Sequence, residues 1–155
     1  MMTIGKTIPD LRGESTAGPL RLRDFKGQFV VVYFYPKDNT PGCTREAQDF
    51  RDLAKQFAKH NAVVLGVSRD SIASHEKFRS KQSLGFALVS DPDETWCREF
   101  DVIHEKVLYG RKFLGVVRST FLIGPDGKLR KEWRGVKVPG HAEAVLAAIA
   151  ESKPK

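Results

Sequence analysis

The sequence has few cysteines and no long apolar run. Two cysteines occur among 155 residues, which is too few for a disulfide framework and is typical of reducing compartments, where a thiol is catalytic or inert more often than structural. No segment reaches the roughly 18 consecutive apolar residues that a membrane-spanning helix needs. Residues 1–10 contain no apolar run of signal-peptide length. We therefore expect a cytoplasmic protein without a membrane segment.

Motifs for metals and for common cofactors are also missing. The sequence has no CxxC pair, which disfavours disulfide exchange of the thioredoxin kind, and no glycine-rich phosphate-binding loop. The four histidines (His60, His75, His104 and His141) show no metal-ligand spacing. We expect them to be ordinary surface or capping residues, and we predict neither a metal nor a bound cofactor.

The charge is basic but dispersed. The chain carries 26 Lys and Arg against 19 Asp and Glu, for a formal net charge of +7. A basic balance is one property of nucleic-acid-binding proteins, but here basic and acidic residues are interleaved. The densest basic stretch, Lys128 to Lys137, is typical of the solvated face of a strand. Nucleic-acid binding therefore rests on net charge alone, and we do not expect it.

The strongest structural pattern is a strand, a helix and a second strand in succession. Phe29 to Tyr35 is apolar on both alternating faces, as is Ala62 to Val67, and such runs are typical of central strands covered on both sides. Residues 44–60 between them have a helical apolar stripe. This order predicts a right-handed parallel crossover. The stripe consists of Ala47, Phe50, Leu53, Ala54 and Phe57.

The rest of the chain continues the alternation. We predict a helix from Ser71 to Gln82, a short strand from Ala87 to Ser90, a hairpin formed by Val116 to Ile123 and Lys128 to Arg134, and a last helix beginning near Gly140. The fold class is therefore α/β, with a central mixed sheet flanked by helices. This order resembles the thioredoxin fold, and we expect residues 1–155 to form a single domain.

Cys43 occupies the position with the clearest chemical meaning. Pro36 follows the first central strand and stops its ladder because it lacks an N–H. A polar loop then leads directly into the helix, so Cys43 lies near a helix N-terminus at the carboxyl end of a central strand, where open α/β sheets place their chemistry. Unpaired N–H groups and the helix dipole favour a thiolate there. Cys43 also continues the inward stripe of the helix, which predicts a sulfur held in a pocket.

Position alone leaves two alternatives open. A free cysteine is often a small buried hydrophobic residue without reactivity. Thr40, three residues before Cys43, has a hydroxyl that can donate and accept hydrogen bonds at a reaction centre, but it also suits a simple helix N-cap.

A family resemblance favours the reactive alternative. Pro36, Thr40 and Cys43 match the peroxiredoxin signature of Pro, three residues, Thr, two residues and Cys, and the surrounding YFYPKDNTPGCTREAQDFRD is similar to the PrxQ branch, also called bacterioferritin comigratory proteins. The resemblance implies a thioredoxin-like fold and a thiol peroxidase that reduces hydrogen peroxide and organic hydroperoxides. It extends over most of the chain, including Lys6–Leu11, Gly66–Phe78, Ser90–Asp93 and Tyr109–Ile123.

The same resemblance implies roles for individual residues. Cys43 would attack the terminal peroxide oxygen and become a sulfenic acid, while Thr40, Arg118 and the backbone N–H groups around Gly42 stabilise charge on the two oxygens. Glu46 resembles the glutamate that orients the arginine. From the residues alone, Arg118 is also compatible with a solvated strand edge, and Glu46 with an acid favoured by the helix dipole.

The usual second cysteine of this branch is absent. Its two common positions hold Gln48 and, on the next helix, Arg79 or Ser80. Cys97 matches neither position, and we expect it to be a buried structural thiol and not a resolving cysteine. We predict a one-cysteine cycle that uses an external thiol, either thioredoxin or glutaredoxin with glutathione. A redox sensor or chaperone-like module, which would oxidise without turnover, is the alternative.

The quaternary state is predicted from the apolar residues that remain after the core is assigned. No exposed apolar stripe is left over, and we therefore expect a monomer.

Overall fold

The computed structural model describes residues 3–152. These residues form nine strands and five α-helices. In chain order they are β1 (Arg12–Ser15), β2 (Gly18–Arg21), β3 (Phe29–Phe34), α1 (Pro41–Asp52), α2 (Ala54–Lys59), β4 (Ala62–Ser68), α3 (Ile72–Gln82), β5 (Ala87–Ser90), α4 (Thr95–Glu99), β6 (Ile103–Leu108), β7 (Arg111–Val116), β8 (Ser119–Ile123), β9 (Leu129–Arg134) and α5 (His141–Ser152).

Seven strands form a mixed sheet in the order β2-β1-β5-β4-β3-β8-β9. β3, β4 and β5 are parallel to one another, while β8 pairs antiparallel with β3 and β9 antiparallel with β8. Every residue of β3 is buried, as its apolar sequence on both faces requires. The predicted α/β class, with a mixed central sheet flanked by helices, is confirmed.

The two faces of β3 belong to two separate hydrophobic clusters. Val31 and Tyr33 pack with α1, α2 and α5 in one cluster. Val32 and Phe34 pack with α4 and with β8 in the other. Successive side chains of a strand point to opposite faces, so the sheet separates the two clusters.

The predicted helix over residues 44–60 is two helices. Leu53 leaves helical geometry, with φ −101° and ψ 7°, and its N–H bonds to the Phe50 carbonyl in a tight last turn. After this break Leu53 and Phe57 still pack against the core. Ala54, which belongs to the predicted apolar stripe, is exposed, so the prediction is wrong at this residue.

The predicted strand over residues 116–123 is also interrupted. Strand β7 ends at Val116, and strand β8 begins at Ser119. Arg118 therefore lies between two strands and not within one. The backbone explains the break, because Val117 N–H donates to the Val102 carbonyl (2.8 Å) and the Arg118 carbonyl accepts from Val136 N–H (3.0 Å). These bonds replace the sheet ladder at this point.

The hairpin of β6 and β7 was not predicted. It forms a separate two-stranded sheet and exposes several large apolar side chains, which contradicts the premise of our monomer prediction. No helix among residues 3–152 is both long and apolar enough to cross a membrane. The exposed apolar residues of the hairpin are Val107, Leu108, Tyr109, Phe113 and Leu114.

Candidate active site

Cys43 lies in the first turn of α1, as the sequence predicted. The helix begins at Pro41, whose fixed φ and missing N–H suit a first helical position. The backbone N–H groups of this turn have no partner within the helix and carry its positive dipole end. The Cys43 side chain is 1% exposed, so its sulfur is buried where a negative charge is favoured.

Arg118 bridges Cys43 and Glu46. Its Nη2 donates to Cys43 Sγ over 3.4 Å, and its Nη1 donates to Glu46 Oε1 over 2.7 Å. The Arg118 side chain is 17% exposed and that of Glu46 is 1% exposed, so solvent screens this contact little. The guanidinium is thus a largely buried, paired cation beside the sulfur and not a solvated strand-edge residue.

Burial and charge act in opposite directions on Glu46. Burial raises the pKa of its carboxyl to about 7, although the charge and hydrogen bond of Arg118 lower it in part. Its second oxygen, Oε2, has no hydrogen-bond partner among the described residues. Burial alone would lower the pKa of Arg118, but Glu46 and Cys43 outweigh this and the pKa lies above its ordinary value. Arg118 therefore stays charged.

Thr40 occupies the N-cap position of α1 without capping it. Its hydroxyl makes no bond to a helix N–H and instead donates to the Lys37 carbonyl over 2.8 Å. Since the donor is used, the Thr40 oxygen keeps its lone pairs and can accept a hydrogen bond from a protonated peroxide oxygen. The alternative of a plain N-cap does not hold for this side chain.

Gly42 provides the space in which the guanidinium lies. A Cβ atom added at this position would lie 3.1 Å from Arg118 Nη2, which is closer than ordinary van der Waals contact. The absence of a side chain at Gly42 therefore permits Arg118 to approach Cys43. Pro36, the first residue of the predicted motif, follows β3 in the loop before α1 and is half-buried.

Lys106 on β6 is a charged neighbour that the sequence did not reveal. Its Nζ donates to the Val116 carbonyl over 2.6 Å, two residues before Arg118. Burial lowers the pKa of Lys106, and the positive charges of Arg118 and Arg69 lower it further. Sequence reasoning missed Lys106 because it missed the β6–β7 hairpin that carries it.

Two of the four histidines are buried and hydrogen-bonded to other elements, contrary to our expectation of surface or capping residues. His141 Nε2 is 2.7 Å from Thr120 Oγ1, and burial, aided by the charge of Arg118, lowers its pKa to about 4. His75 is fully buried and forms a cluster with two carboxylates that the sequence spacing did not indicate. The ligand-type atoms of Asp38, Asp70 and His75 lie within 4.8 Å of one another.

Cys97 lies on the opposite side of the sheet from Cys43. The two cysteines belong to the two different hydrophobic clusters, and Cys97 is completely buried. Burial, together with the nearby Asp91 carboxylate, raises the pKa of the Cys97 thiol well above its ordinary value. Cys97 is therefore a protonated thiol in the core.

The positions where the family pattern suggests a second cysteine hold hydrogen-bonding side chains. Gln48 Nε2 donates to Gln82 Oε1 over 2.9 Å, which connects α1 to the end of α3. Arg79 Nε donates to the Phe86 carbonyl over 3.3 Å. Both side chains contribute to the contact of α3 with its neighbours and carry no thiol chemistry.

Known proteins match this chain over most of its length. The AhpC/TSA family model matches residues 4–132. The Peroxiredoxin Bcp of Xanthomonas campestris pv. campestris is 57% identical over 128 residues, which cover 83% of this chain and 80% of that protein. The Peroxiredoxin Bcp of Bacillus subtilis is 45% identical over 153 residues, or 98% of each chain.

A solved structure agrees with these relatives. A structure of the Xanthomonas campestris bacterioferritin comigratory protein, concerned with its alkyl peroxide reduction activity, is 50% identical and matches with a TM-score of 0.90. The match covers 99% of both chains. The thioredoxin-like fold is thereby confirmed, as is the resemblance on which the residue roles were predicted.

Proposed function

Since the chain belongs to the AhpC/TSA family and is a thiol peroxidase of the peroxiredoxin type, we propose that Cys43 is the residue that attacks the hydroperoxide. The observation that carries this assignment is the Arg118 guanidinium, which donates to Cys43 Sγ while Glu46 holds its other nitrogen. A cation and a helix N-terminus at one buried sulfur both favour the nucleophilic thiolate.

The proposed reaction is a displacement at oxygen. The Cys43 thiolate attacks the terminal oxygen of ROOH, an S–O bond forms and the O–O bond breaks. The product on the protein is the sulfenic acid, and the leaving alkoxide or hydroxide takes a proton to become ROH or water. Negative charge therefore moves from sulfur to the leaving oxygen during the step.

The residues around Cys43 can stabilise this negative charge as it moves from the sulfur to the leaving oxygen. Arg118 can donate to both peroxide oxygens, and the N–H groups of Gly42 and Cys43 lie at the free end of α1. Thr40 can accept the hydrogen of the attacked oxygen through its free lone pairs. Pro36 ends the strand so that the loop carrying Thr40 can turn towards the helix. Glu46 keeps Arg118 in place.

We propose that the sulfenic acid is reduced by an external thiol. Cys97 lies in the other hydrophobic cluster with its thiol protonated, while Gln48 and Arg79 replace the family's second cysteine. An external thiol would attack the Cys43 sulfur, release water and leave a mixed disulfide, which a second thiol then reduces. Thioredoxin and glutaredoxin with glutathione are the two donor classes that supply such thiols.

Steady-state turnover tests the proposal. Wild type, Cys43→Ser and Cys97→Ser are each assayed for peroxide consumption with a thioredoxin system and, separately, with glutaredoxin and glutathione. We expect Cys43→Ser to be inactive with both donors and Cys97→Ser to retain the wild-type rate. Loss of turnover in Cys97→Ser would contradict the one-cysteine cycle. Oxidation of wild type without turnover by either donor would favour the redox-sensor alternative.

A further inference from the structure

A buried polar cluster lies beneath the loop that connects β3 to α1. Asp38, in the middle of this loop, is 5% exposed although it is an acid. Its carboxylate accepts three hydrogen bonds, from Tyr35 Oη (2.6 Å), Ser74 Oγ (2.8 Å) and His75 Nδ1 (2.7 Å). Its backbone N–H donates to Asp70 Oδ2 over 2.9 Å. The loop is therefore tied to the ends of β3 and β4 and to α3.

The geometry makes Asp38 and His75 an ion pair. His75 Nε2 lies 2.9 Å from the Val89 carbonyl, which can only accept, so Nε2 carries a hydrogen. Burial alone would raise the pKa of Asp38, but the hydrogen bonds from His75 and Tyr35 outweigh it and hold the pKa below its ordinary value. Because Asp38 is a carboxylate, His75 Nδ1 must donate to it, and both ring nitrogens carry hydrogens.

A buried ion pair adds little net stability to a fold, because removing two charges from water offsets their mutual attraction. Apolar residues of similar volume often serve stability as well or better. The cluster lies directly next to residues with a proposed chemical role, since Asp38 is two positions before Thr40. Between them Asn39 has a left-handed φ of 64°, which asparagine tolerates better than most non-glycine residues. The contacts of Asp38 with Tyr35, Asp70 and α3 therefore hold the loop on the side of Thr40.

We propose that the Asp38–His75 pair is a positioning device that holds the loop so that the Thr40 hydroxyl faces the peroxide. This inference rests on the proposed function of Cys43. Asp38 and His75 touch neither the sulfur nor the Arg118 guanidinium in any hydrogen bond of the described residues. They act through the loop on Thr40, which makes no hydrogen bond to the sulfur, and so leave the thiolate itself unchanged.

Two reactions of the Cys43 sulfur distinguish a displaced Thr40 from an altered thiolate. Reaction of Cys43 with iodoacetamide requires the thiolate but not the Thr40 hydroxyl, whereas reaction with hydrogen peroxide requires both. In Asp38→Asn we expect the rate constant for peroxide to fall by about 10- to 100-fold, because misplacing a reacting group by about 1 Å can cost that much. The rate constant for alkylation should change by less than about twofold.

Further variants show whether the pair acts as a unit. His75→Gln should show the same selective loss, and the double variant Asp38→Asn/His75→Gln should be no slower than the worse single variant, since groups that act together are not additive. Tyr35→Phe and Ser74→Ala each remove one hydrogen bond to Asp38 and keep the charges. In both variants the rate constant for peroxide should fall by less than in Asp38→Asn, while the rate constant for alkylation again stays nearly constant. These two variants decide the question if Asp38→Asn does not fold.

Ser71→Ala is the matched control. Ser71 caps α3, accepting from Ser74 N–H over 3.2 Å, so its removal should lower the melting temperature through the same helix without altering the ratio of the two rate constants. An unchanged peroxide rate in folded Asp38→Asn, or an equal fall in both reactions, would overturn the inference. Failure of wild type to react with peroxide at Cys43 would instead overturn the proposed function.

Discussion

Arg118 Nη2 lies 3.4 Å from Cys43 Sγ, while Nη1 of the same guanidinium lies 2.7 Å from Glu46 Oε1. One planar group thus contacts the nucleophile and is held by a carboxylate from the next turn of the same helix. Arg118 comes from the segment between β7 and β8, so a helix and a distant loop meet at the sulfur.

Replacing Arg118 with lysine should disable peroxide reduction. A lysine ammonium is a single point charge and cannot hold Glu46 and face the peroxide oxygens with a planar fork. We expect kcat/KM for peroxide to fall by about 10²- to 10³-fold, the usual cost of losing one donor to a developing charge. Coupled peroxidase assays measure this, with Arg45→Lys as the control, because Arg45 is on α1 but its side chain is 72% exposed. Equal rates for both variants would contradict the role of Arg118.

Adding a methyl group at Gly42 should reduce activity without reducing stability. The new Cβ would lie 3.1 Å from Arg118 Nη2, so the guanidinium must shift from Cys43, while alanine suits a helix better than glycine. We expect a roughly tenfold slower reaction with peroxide and an unchanged or higher melting temperature. Gly85→Ala is the control, since a Cβ there has no atom within 4 Å. A Gly42→Ala protein with full activity would show that the close approach of Arg118 is dispensable.

Glu46 should make the folded protein less stable as pH rises. Its folded-state pKa of about 7 lies above the ordinary value of 4.5, so between these values the folded state holds more protons than the unfolded state and loses stability as the proton leaves. Glu46→Gln removes this titration. Relative to wild type, its free energy of unfolding should rise by roughly 3 kcal/mol between about pH 4.5 and pH 7.5.

Urea unfolding of both proteins across this pH range provides the measurement. Glu76→Gln is a suitable control because Glu76 is exposed on α3, and its difference from wild type should stay nearly constant with pH. Parallel curves for wild type and Glu46→Gln would show that the Glu46 carboxyl does not titrate in this range.

Cys97 should be dispensable for turnover. It is buried in the cluster on the other face of the sheet from Cys43, so we expect Cys97→Ala to retain peroxidase activity within about twofold, as for a small change away from reacting groups. Intact mass analysis after one equivalent of peroxide should show one added oxygen atom in wild type. A loss of two hydrogen atoms, which marks a Cys43–Cys97 disulfide, would be the opposite result.

Much of this site follows from local sequence. The apolar run of β3, the stop at Pro36 and the apolar periodicity of α1 place Cys43 at a helix start, and each of these signals lies within a few residues. The partners of Cys43 are harder to predict from local sequence, because Arg118 is 75 positions away along the chain. Their predicted roles depended on the resemblance to a family and not on periodicity.

The β6–β7 hairpin shows why other parts were missed. Tyr109 and Gly110 both have positive φ, 52° and 77°, as in a type I′ hairpin turn, which usually has Asn-Gly or Asp-Gly at these positions. Because Tyr109 stands in place of the asparagine or aspartate, the sequence lacks the usual turn signal. Both strands are also exposed over most of their length, and they lack an alternating apolar pattern. Lys106 and the exposed apolar residues of the hairpin went unpredicted for this reason.

His75 was missed for a different reason. Its neighbours in sequence are polar, and its ionic partner Asp38 lies 37 positions away in the loop before α1. Burial of a charged pair depends on tertiary contacts, which no local pattern encodes.

The most direct test of the central claim is the ultraviolet absorbance of the Cys43 thiolate at neutral pH, taken as the difference between wild type and Cys43→Ser. We predict that wild type shows the thiolate absorbance at neutral pH and that Cys43→Ser lacks it. A difference spectrum without thiolate absorbance at neutral pH would contradict the account.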